Sequence, residues 1–374
     1  MSLTHPFGKC EKHNVASIKT IAPLKSEFYS ENGDSCFDKA KVPLVPYTFG
    51  DPHKATISGT AFDYMARFLI AQKVNHCRDA VLTDLVAEHI FLYHSMRWWD
   101  YGKEKEAAYR KYKKHVKRIQ TLIESNSLLN NQEAASICVL FAKMEQESRA
   151  GRQRPPVFEI TDEDQEIIQD VMFLSQTFAN SFLPTVKPDS VVIFNPRFGI
   201  GSRVVGGADA DIFINGTLID FKVKKDNNWS SALSRQLIGY YVLDSIAKDA
   251  KDYRSDLREQ RILRVALYNA RYAETDFYDI SNIDLQQLEI IKADIRHEFL
   301  MRKMRNYDYD ILKSLHIPLT EDELHYCSDD TELEIDVWQE INPQLSKEIL
   351  KSWQSLDSFL REVDTNYILQ QIIQ

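Results

Sequence analysis

Apolar positions divide the chain into a helical half and a mixed half. From Ser58 to about residue 150, apolar side chains recur every three or four residues, which is the spacing of one helix face. Ser58 is a suitable N-cap for the first predicted helix, and Thr161 caps a later one. The other helices are expected over residues 80–99, 103–125 and 131–148. We therefore predict an irregular, proline-rich segment over residues 1–57 and a helical region over residues 58–186.

After Pro188 the pattern changes to short runs rich in β-branched and aromatic residues, which are typical of strands. These runs cover residues 190–195, 202–215, 217–224 and 261–272. A helical pattern over residues 230–247 separates the last two runs. This order predicts a mixed α/β core over residues 187–280, and the remaining residues 281–374 have a helical pattern.

Composition limits the class of protein. The 374 residues are 44% hydrophobic and 27% charged, which predicts a globular chain of two domains, or of one domain with large insertions. A net charge of −9 argues against a protein that simply coats DNA. No run has the length and apolarity of a membrane helix or a secretory signal, and the five cysteines form no CxxC pair. We therefore expect a cytoplasmic protein without membrane contact.

Asn215-Gly216, between two apolar-rich runs, is a strong signal for a β-hairpin with a two-residue loop. That loop fixes the register of the two strands. The expected opposed pairs are Ile214 with Thr217, Phe213 with Leu218, Ile212 with Ile219, Asp211 with Asp220, and Asp209 with Lys222. Because side chains alternate between strand faces, one face should carry the acids and the lysine. The other face should be apolar and point to the core, with Ala210, Ile212, Ile214, Thr217, Ile219 and Phe221.

Two carboxylates directly opposite each other are destabilising unless something offsets their charge. A divalent cation between Asp211 and Asp220 would do so, and a site built from oxygen ligands favours Mg²⁺ or Mn²⁺ over zinc. Such an ion can activate water and neutralise charge on a phosphate, while Lys222 on the same face could orient the water. The alternative is an acidic strand face in solvent, with Lys222 as an ion-pair partner.

The same stretch resembles a known family. Gly206-Gly207-Ala208-Asp209, followed by Asp220-Phe221-Lys222, is similar to the PD-(D/E)XK nuclease signature, above all to that of its RecB-like branch. Downstream, Gln236-Leu237-Ile238-Gly239-Tyr240 resembles the Q-x-x-x-Y motif of that branch. The resemblance implies a restriction-endonuclease-like αβββαβ core, with a large helical insertion after its first helix and a helical C-terminal region.

The resemblance also implies roles for particular residues. The implied metal-binding and catalytic residues are Asp209 or Asp211, Asp220 and Lys222, with the backbone carbonyl of Phe221 as a further ligand. Gln236 and Tyr240, one helical turn apart, would contact nucleic acid or support the site. The alternative for their helix is plain packing on the sheet, with Gln236 exposed.

The sequence departs from the family pattern in two respects. No proline precedes the first aspartate, and no unambiguous acid or histidine stands upstream. Gly59-Thr60-Ala61-Phe62-Asp63 resembles the G-x-x-x-H segment of RecB-like helices, with Asp63 at the position of a metal ligand. Asp63 is equally well placed to pair with Arg67 at i,i+4. Glu163 and Glu166 are rival acids, unless they are first-turn carboxylates favoured by the helix dipole.

Residues 97–118 are locally basic and interleaved with aromatic residues. Cations that neutralise phosphates, next to rings that stack on bases, would suit single-stranded DNA or DNA ends. The residues concerned are Lys111, Lys113 and Lys114, with Trp98, Trp99, Tyr101, Tyr109 and Tyr112. Arg197 and Arg203, close to the predicted site, could contact a phosphate. The alternative is a solvated basic face whose aromatic residues belong to the core.

These patterns favour a metal-dependent nuclease that hydrolyses phosphodiester bonds in DNA, with a role in repair, recombination or defence against phage. The uncertain upstream acid keeps a second hypothesis open, in which the protein has a nuclease fold but does not cut and serves as a nucleic-acid-binding or assembly module. A third hypothesis is a helical interaction protein with an incidental acidic hairpin. DNA and RNA, and endonuclease and exonuclease action, are not distinguished by the sequence.

Overall fold

A computed structural model of the chain describes residues 16–34, 36–83, 85–92, 102–150, 159–205 and 207–305. The described residues form a mixed α/β structure, which confirms the predicted class. The helices are α1 (Pro52–Lys73), α2 (His89–Leu92), α3 (Gly102–Glu124), α4 (Gln132–Ala150), α5 (Gln165–Ser181), α6 (Ile200–Val204), α7 (Ser231–Asp249) and α8 (Leu285–Arg305). The strands are β1 (Val192–Phe194), β2 (Ile212–Ile214), β3 (Thr217–Lys222), β4 (Arg264–Asn269) and β5 (Glu274–Asp279). The predicted tail beyond residue 305 lies outside the described residues.

The five strands form one sheet in the order β1-β2-β3-β4-β5. β2 is antiparallel to both β1 and β3, β4 runs parallel to β3, and β5 is antiparallel to β4. The predicted hairpin register is confirmed, since Ile212 pairs with Ile219 and Ile214 with Thr217. Asn215 and Gly216 both have positive φ, 46° and 86°, as a type I′ turn requires.

The sheet separates two apolar layers, and this corrects the expected division of its faces. Ile212, Ile214, Ile219 and Phe221 pack with α1, α4 and α5, as predicted. The opposite face is also covered, because Phe213 and Leu218 pack with α7 and α8. Ala210, expected beside Ile212, lies in this second layer. The acids on that face are therefore enclosed by protein rather than spread over an open strand surface.

Three predicted elements differ in the structure. The first helix begins at Pro52, not Ser58, because Asp51 Oδ1 accepts from His53 N at 2.8 Å and proline fits the first helical turn. The first residues of the strand expected from residue 202 form helix α6 instead. Gly201 allows α6 to pack closely on α7, since a Cβ at this position would lie only 2.1 Å from Leu243 O. The helix expected over residues 80–99 is a series of short turns with α2, as far as residue 92.

The sequence did not predict β5, whose edge is covered by the irregular N-terminal segment. Tyr29 and Phe277 exchange two backbone hydrogen bonds, at 3.0 and 2.8 Å. The buried side chains Ile18, Phe28 and Phe37 fasten the same segment to the second apolar layer. Among the helices described, none is long and apolar enough to cross a membrane.

Candidate active site

Asp211 and Asp220 meet where the hairpin strands end. Asp211 directly precedes β2, and its Oδ2 accepts a hydrogen bond of 2.6 Å from the backbone N–H of Phe221 in β3. This bond places the Asp211 carboxylate beside Asp220, across the expected register. Burial raises the pKa of Asp211 well above its usual range, and the negative charges of Asp220 and Asp63 raise it further. The two acids are therefore crowded, as the sequence predicts.

Asp220 and Lys222 lie on the same face of β3. The Asp220 side chain is 2% exposed, and its Oδ2 lies 2.5 Å from Lys222 Nζ without the alignment of a hydrogen bond. Burial alone would lower the pKa of Lys222, but the charges of Asp220 and Asp211 outweigh it and raise that pKa. Lys222 is therefore an ammonium ion at neutral pH, able to donate hydrogen bonds but not to accept a proton.

Gln236 and Tyr240 project from α7 toward Asp220. Gln236 Nε2 donates to Asp220 Oδ1 at 3.2 Å and to Tyr240 Oη at 2.8 Å. Gln236 is 4% exposed, so the alternative in which it faces solvent is wrong. Burial raises the pKa of Tyr240 well above its usual range, with Asp220 and Asp211 adding to the effect. The tyrosine is therefore neutral, and α7 supports the acids from behind.

Asp63 reaches the same cluster from α1. Its Oδ2 accepts a hydrogen bond from Arg67, so the expected i,i+4 pair is present. Its other oxygen, Oδ1, is buried and has no hydrogen-bond donor among the described residues. The pKa of Asp63 is raised to about 6, first by burial, against the effect of Arg67, and further by Glu145 and Asp209. Asp63 therefore combines both expectations, an ion pair and an acid next to the site.

Glu145 and Arg149 on α4 are members of the cluster that sequence reasoning missed. Glu145 is 7% exposed and accepts from Tyr64 Oη at 2.8 Å and from Arg149 Nε at 2.9 Å. The only signal in the sequence is an acid directly after the largely apolar run Ile137–Met144, where a helix buries one face. That signal does not show that α4 packs on α1, the helix that carries Asp63.

Asp209 borders the cluster, and its backbone pairs with the segment after β1 rather than with β3. Its backbone forms an isolated bridge with Arg197, and its side chain is half-buried. Its negative charge raises the pKa of Asp63, Arg149 and Tyr240, so it faces the same space. Asp209 and Asp211 both contribute charge here, and Asp211 makes the direct contact with β3.

The donor set fits a divalent cation with oxygen ligands. Two buried oxygens of the cluster, Asp63 Oδ1 and Gln236 Oε1, have no hydrogen-bond donor in the described part of the chain, and Asp220 Oδ2 has only the Lys222 ammonium beside it. Among the same residues acidic groups outnumber basic ones: Asp63, Glu145, Asp209, Asp211 and Asp220 against Arg67, Arg149 and Lys222. No three acidic, histidine or cysteine side chains of the described residues converge as a metal-ligand set. An ion here would therefore rely on few carboxylates, backbone oxygen and water, as Mg²⁺ does.

The basic helix α3 does not bring its cations to this cluster. Lys111 lies 3.9 Å from Glu159, Lys113 lies 3.7 Å from Glu88, and Lys114 is exposed. Tyr112 is buried against Phe91, with Tyr109 packed beside the same ring. The expectation that Tyr112 stacks on bases is therefore wrong, because it belongs to the core, whereas Tyr109 is half-buried. Trp98, Trp99 and Tyr101 lie outside the described residues.

The remaining candidates lie around the site or away from it. Arg197 is 59% exposed and 3.5 Å from Asp256, and Arg203 is exposed on α6. Both remain available to a bound polyanion. Of the rival acids, Glu163 is exposed, and Glu166 pairs with Lys54 at 3.3 Å. These contacts identify both glutamates as surface groups of α5 and its preceding turn.

The cluster as a whole joins opposed carboxylates, one ammonium ion and a supporting amide at the end of a hairpin. Such a constellation can hold a hard cation and present donors to an anionic substrate. Comparison of the chain with models of protein families, with curated proteins and with solved structures gave no match.

Proposed function

We propose that the protein is a metal-dependent nuclease of the PD-(D/E)XK type, which hydrolyses phosphodiester bonds in DNA. One observation carries the proposal. Asp211 and Asp220 face each other at the end of the hairpin, and the Lys222 ammonium lies 2.5 Å from Asp220. Repulsion between the two acids, which lie beside the largely buried Lys222, lowers the stability of the protein when no ligand is bound. The arrangement therefore favours a functional site.

The order of elements supports the same proposal. Helix α1 is followed by the antiparallel strands β1, β2 and β3, then by α7, and then by β4 parallel to β3. This is the αβββαβ order of a restriction-endonuclease-like core. Helices α2 to α5 would then be the insertion between its first helix and first strand. Strand β5 and helix α8 would be additions at its C-terminal side.

Mg²⁺ or Mn²⁺ would be held by Asp211, Asp220 and the carbonyl of Phe221, next to Asp63. Such an ion lowers the pKa of bound water and offsets charge on a phosphate. Lys222, kept protonated by its two acidic neighbours, donates a hydrogen bond to the attacking water or to a phosphate oxygen. Arg197 and Arg203, with the lysines of α3 farther away, would neutralise other phosphates of the strand.

Gln236 and Tyr240 act as positioning residues in this proposal. Gln236 Nε2 fixes Asp220 Oδ1 and is itself oriented by Tyr240 Oη. Because the amide donates to only one oxygen of Asp220, the other oxygen is left to Lys222 Nζ, at 2.5 Å, and to a bound ion. The α7 pair therefore keeps the carboxylate in one orientation without competing for its open side.

Cleavage assays test the proposal directly. The purified chain is incubated with Mg²⁺ or Mn²⁺ and end-labelled single-stranded DNA, duplex DNA or RNA. We expect metal-dependent cleavage of DNA, a loss of at least about a hundredfold in Lys222→Ala, and normal activity in Lys187→Ala. Lys187 is an exposed lysine at the opposite, Asn215–Gly216 end of the hairpin. Absence of cleavage by the wild type with both metals on all three substrates would contradict the proposal.

A second candidate is a nuclease-fold module that binds nucleic acid without cutting it. Two observations favour it: Arg67 engages Asp63, and no three ligand side chains converge within the described residues. Calorimetric titration with Mn²⁺ separates the candidates. Binding that disappears in Asp220→Asn, together with cleavage, supports the nuclease. Nucleic-acid binding without either property supports the module.

A further inference from the structure

Arg149 is the most exposed of the three cations that border the carboxylate cluster. Its side chain is 40% exposed, compared with 25% for Lys222 and 2% for Arg67. Arg67 is buried and pairs with Asp63 inside the helical layer, and Lys222 pairs with the buried Asp220. A polyanion that approaches the cluster from solvent therefore reaches Arg149 before it reaches the other two.

A chain of hydrogen bonds fixes the orientation of the Arg149 guanidinium. The backbone N–H of Ala87 donates to Tyr64 Oη at 2.9 Å, and this hydroxyl donates to Glu145 Oε2 at 2.8 Å. Glu145 Oε1 then accepts from Arg149 Nε at 2.9 Å and lies 2.8 Å from Nη2. Because Glu145 is buried, it acts as a rigid anchor for the arginine. An arginine held in this way loses little conformational entropy when it binds a ligand.

Contacts also connect Arg149 to the proposed active site: Glu145 binds Tyr64, and the Tyr64 ring lies 4.7 Å from the guanidinium carbon of Arg67, which pairs with Asp63. Burial alone would lower the pKa of Arg149, but the charges of Glu145 and Asp209 raise it. Asp209 exerts the same electrostatic influence on Asp63 and on Tyr240, which both belong to the cluster. Arg149 therefore stands at the border of the site, although its helix α4 lies outside the αβββαβ core.

We propose that Arg149 binds a backbone phosphate of the nucleic-acid strand that occupies the site. A guanidinium has five N–H donors, and contacts with Glu145 engage only two of its nitrogens. The planar fork of arginine matches two phosphate oxygens, which suits it to this role better than a lysine. The inference rests on the proposed function, because it identifies the substrate contact of that same site.

The test measures binding and cleavage of one labelled single-stranded DNA by the full chain. Without metal, affinity is recorded from about 50 to 200 mM salt, the range over which phosphate contacts weaken strongly. Arg149→Gln should lower affinity about tenfold and reduce the slope of log K against log salt by about one, the signature of one lost phosphate contact. Lys187→Gln, which removes an exposed charge at the Asn215–Gly216 end, should leave both unchanged. Arg149→Lys should restore the slope but only part of the affinity.

The outcomes separate this inference from the proposed function. If Arg149→Gln keeps the wild-type slope and affinity, or if the wild type binds no DNA at any salt concentration, the inference is wrong. If the wild type binds with the expected slope change in Arg149→Gln but cuts nothing with Mn²⁺, the inference stands and the nuclease proposal fails. Should Arg149→Gln not fold, Glu145→Gln provides the test. It keeps the arginine but loosens its anchor, so affinity should fall with an unchanged slope, and unchanged affinity would overturn the inference.

Discussion

Two buried charge clusters both include residues of α1, but they differ in how their charges are balanced. In the first, Arg271 Nη1 and Nη2 bind Asp170 Oδ1 and Oδ2 at 2.9 and 2.8 Å, and Ser58 also donates to Asp170. Every oxygen of that carboxylate has a donor. In the second, around Asp211 and Asp220, acidic groups outnumber basic ones among the described residues, and Asp63 Oδ1 and Gln236 Oε1 are buried there without a donor.

Whether buried charges are balanced by partners therefore distinguishes a structural cluster from a functional one. Arg271 also donates to the carbonyl of Pro46, so the balanced pair ties the N-terminal segment to α5 and to the turn after β4. Removing such a pair has consequences for folding alone. The unbalanced cluster instead lowers the stability of the protein without ligands, and binding of a cation and a polyanion would offset this loss. Four measurements probe this contrast.

The largest expected effect is on the balanced pair. Arg271→Leu leaves Asp170 buried without its cation, so the free energy of unfolding should fall by about 3–5 kcal/mol. Removing both charges with Asp170→Leu in the same chain should recover much of that loss. In the matched exposed pair, Arg118 with Glu133, Arg118→Leu should change the free energy of unfolding far less, because solvent screens the two charges. Urea unfolding measures all three, and a double variant no better than the single would contradict the idea of a balanced pair.

The unbalanced cluster should make stability depend on pH. Asp63 has a raised pKa of about 6 in the folded chain, so the folded state holds this proton over a pH range in which the unfolded state has lost it. The free energy of unfolding should therefore fall as pH rises from about 4 to 6, by an amount on the order of 2 kcal/mol from this group. Asp244 and Asp276 shift in the same direction, so the measured quantity is the difference between wild type and Asp63→Asn. An identical dependence of stability on pH for both proteins would show that folding does not raise the pKa of Asp63.

Removing one of the opposed acids should help the metal-free chain. Asp211→Asn keeps an oxygen for the Phe221 N–H and relieves repulsion with Asp220, so stability without metal should rise by up to about 1 kcal/mol. Added Mn²⁺ should stabilise the wild type and leave the variant unchanged. Thermal unfolding with EDTA and with Mn²⁺ measures both effects. If the variant is less stable than the wild type in EDTA, Asp211 stabilises the fold, as the pair of Arg271 and Asp170 does.

The smallest effect is expected for Tyr240, which supports Gln236 and thereby Asp220 from α7. Tyr240→Phe removes one acceptor of Gln236 Nε2 but leaves the contact with Asp220, so stability should fall by about 1 kcal/mol or less and cleavage by about two- to fivefold. Tyr241→Phe, on the neighbouring position of α7, is the control. A loss of cleavage as large as in Lys222→Ala would mean that Tyr240 contacts the substrate.

The local parts of the site could be predicted because short-range chemistry determines them. Asn215-Gly216 fixes a two-residue turn, the turn fixes the register, and the register brings Asp211 to the backbone of Phe221. Likewise, Gln236 and Tyr240 share a helix face because they are four residues apart. None of these steps needs knowledge of how distant elements pack.

The rest could not be predicted, because it depends on contacts between distant segments. Glu145 and Arg149 join the site only because α4 packs on α1, and no local pattern marks that packing. The residues before β2 have a strand-like composition, yet α6 forms there because Gly201 allows close contact with α7. The balanced pair of Arg271 and Asp170 joins residues 101 positions apart.

The backbone pairing of Tyr29 with Phe277 has a consequence for how the protein is made. Tyr29 also donates a hydrogen bond to Asp279, 250 positions later in the chain, so the N-terminal segment emerges from the ribosome long before its strand partner exists. Until then, Phe28 lacks its contact with the Tyr278 ring. Closure of so long a loop is slow and comes late, so the sheet edge should gain protection from hydrogen exchange only at the last step of folding. A chain that stops before β5 would leave that edge open to pairing with other chains.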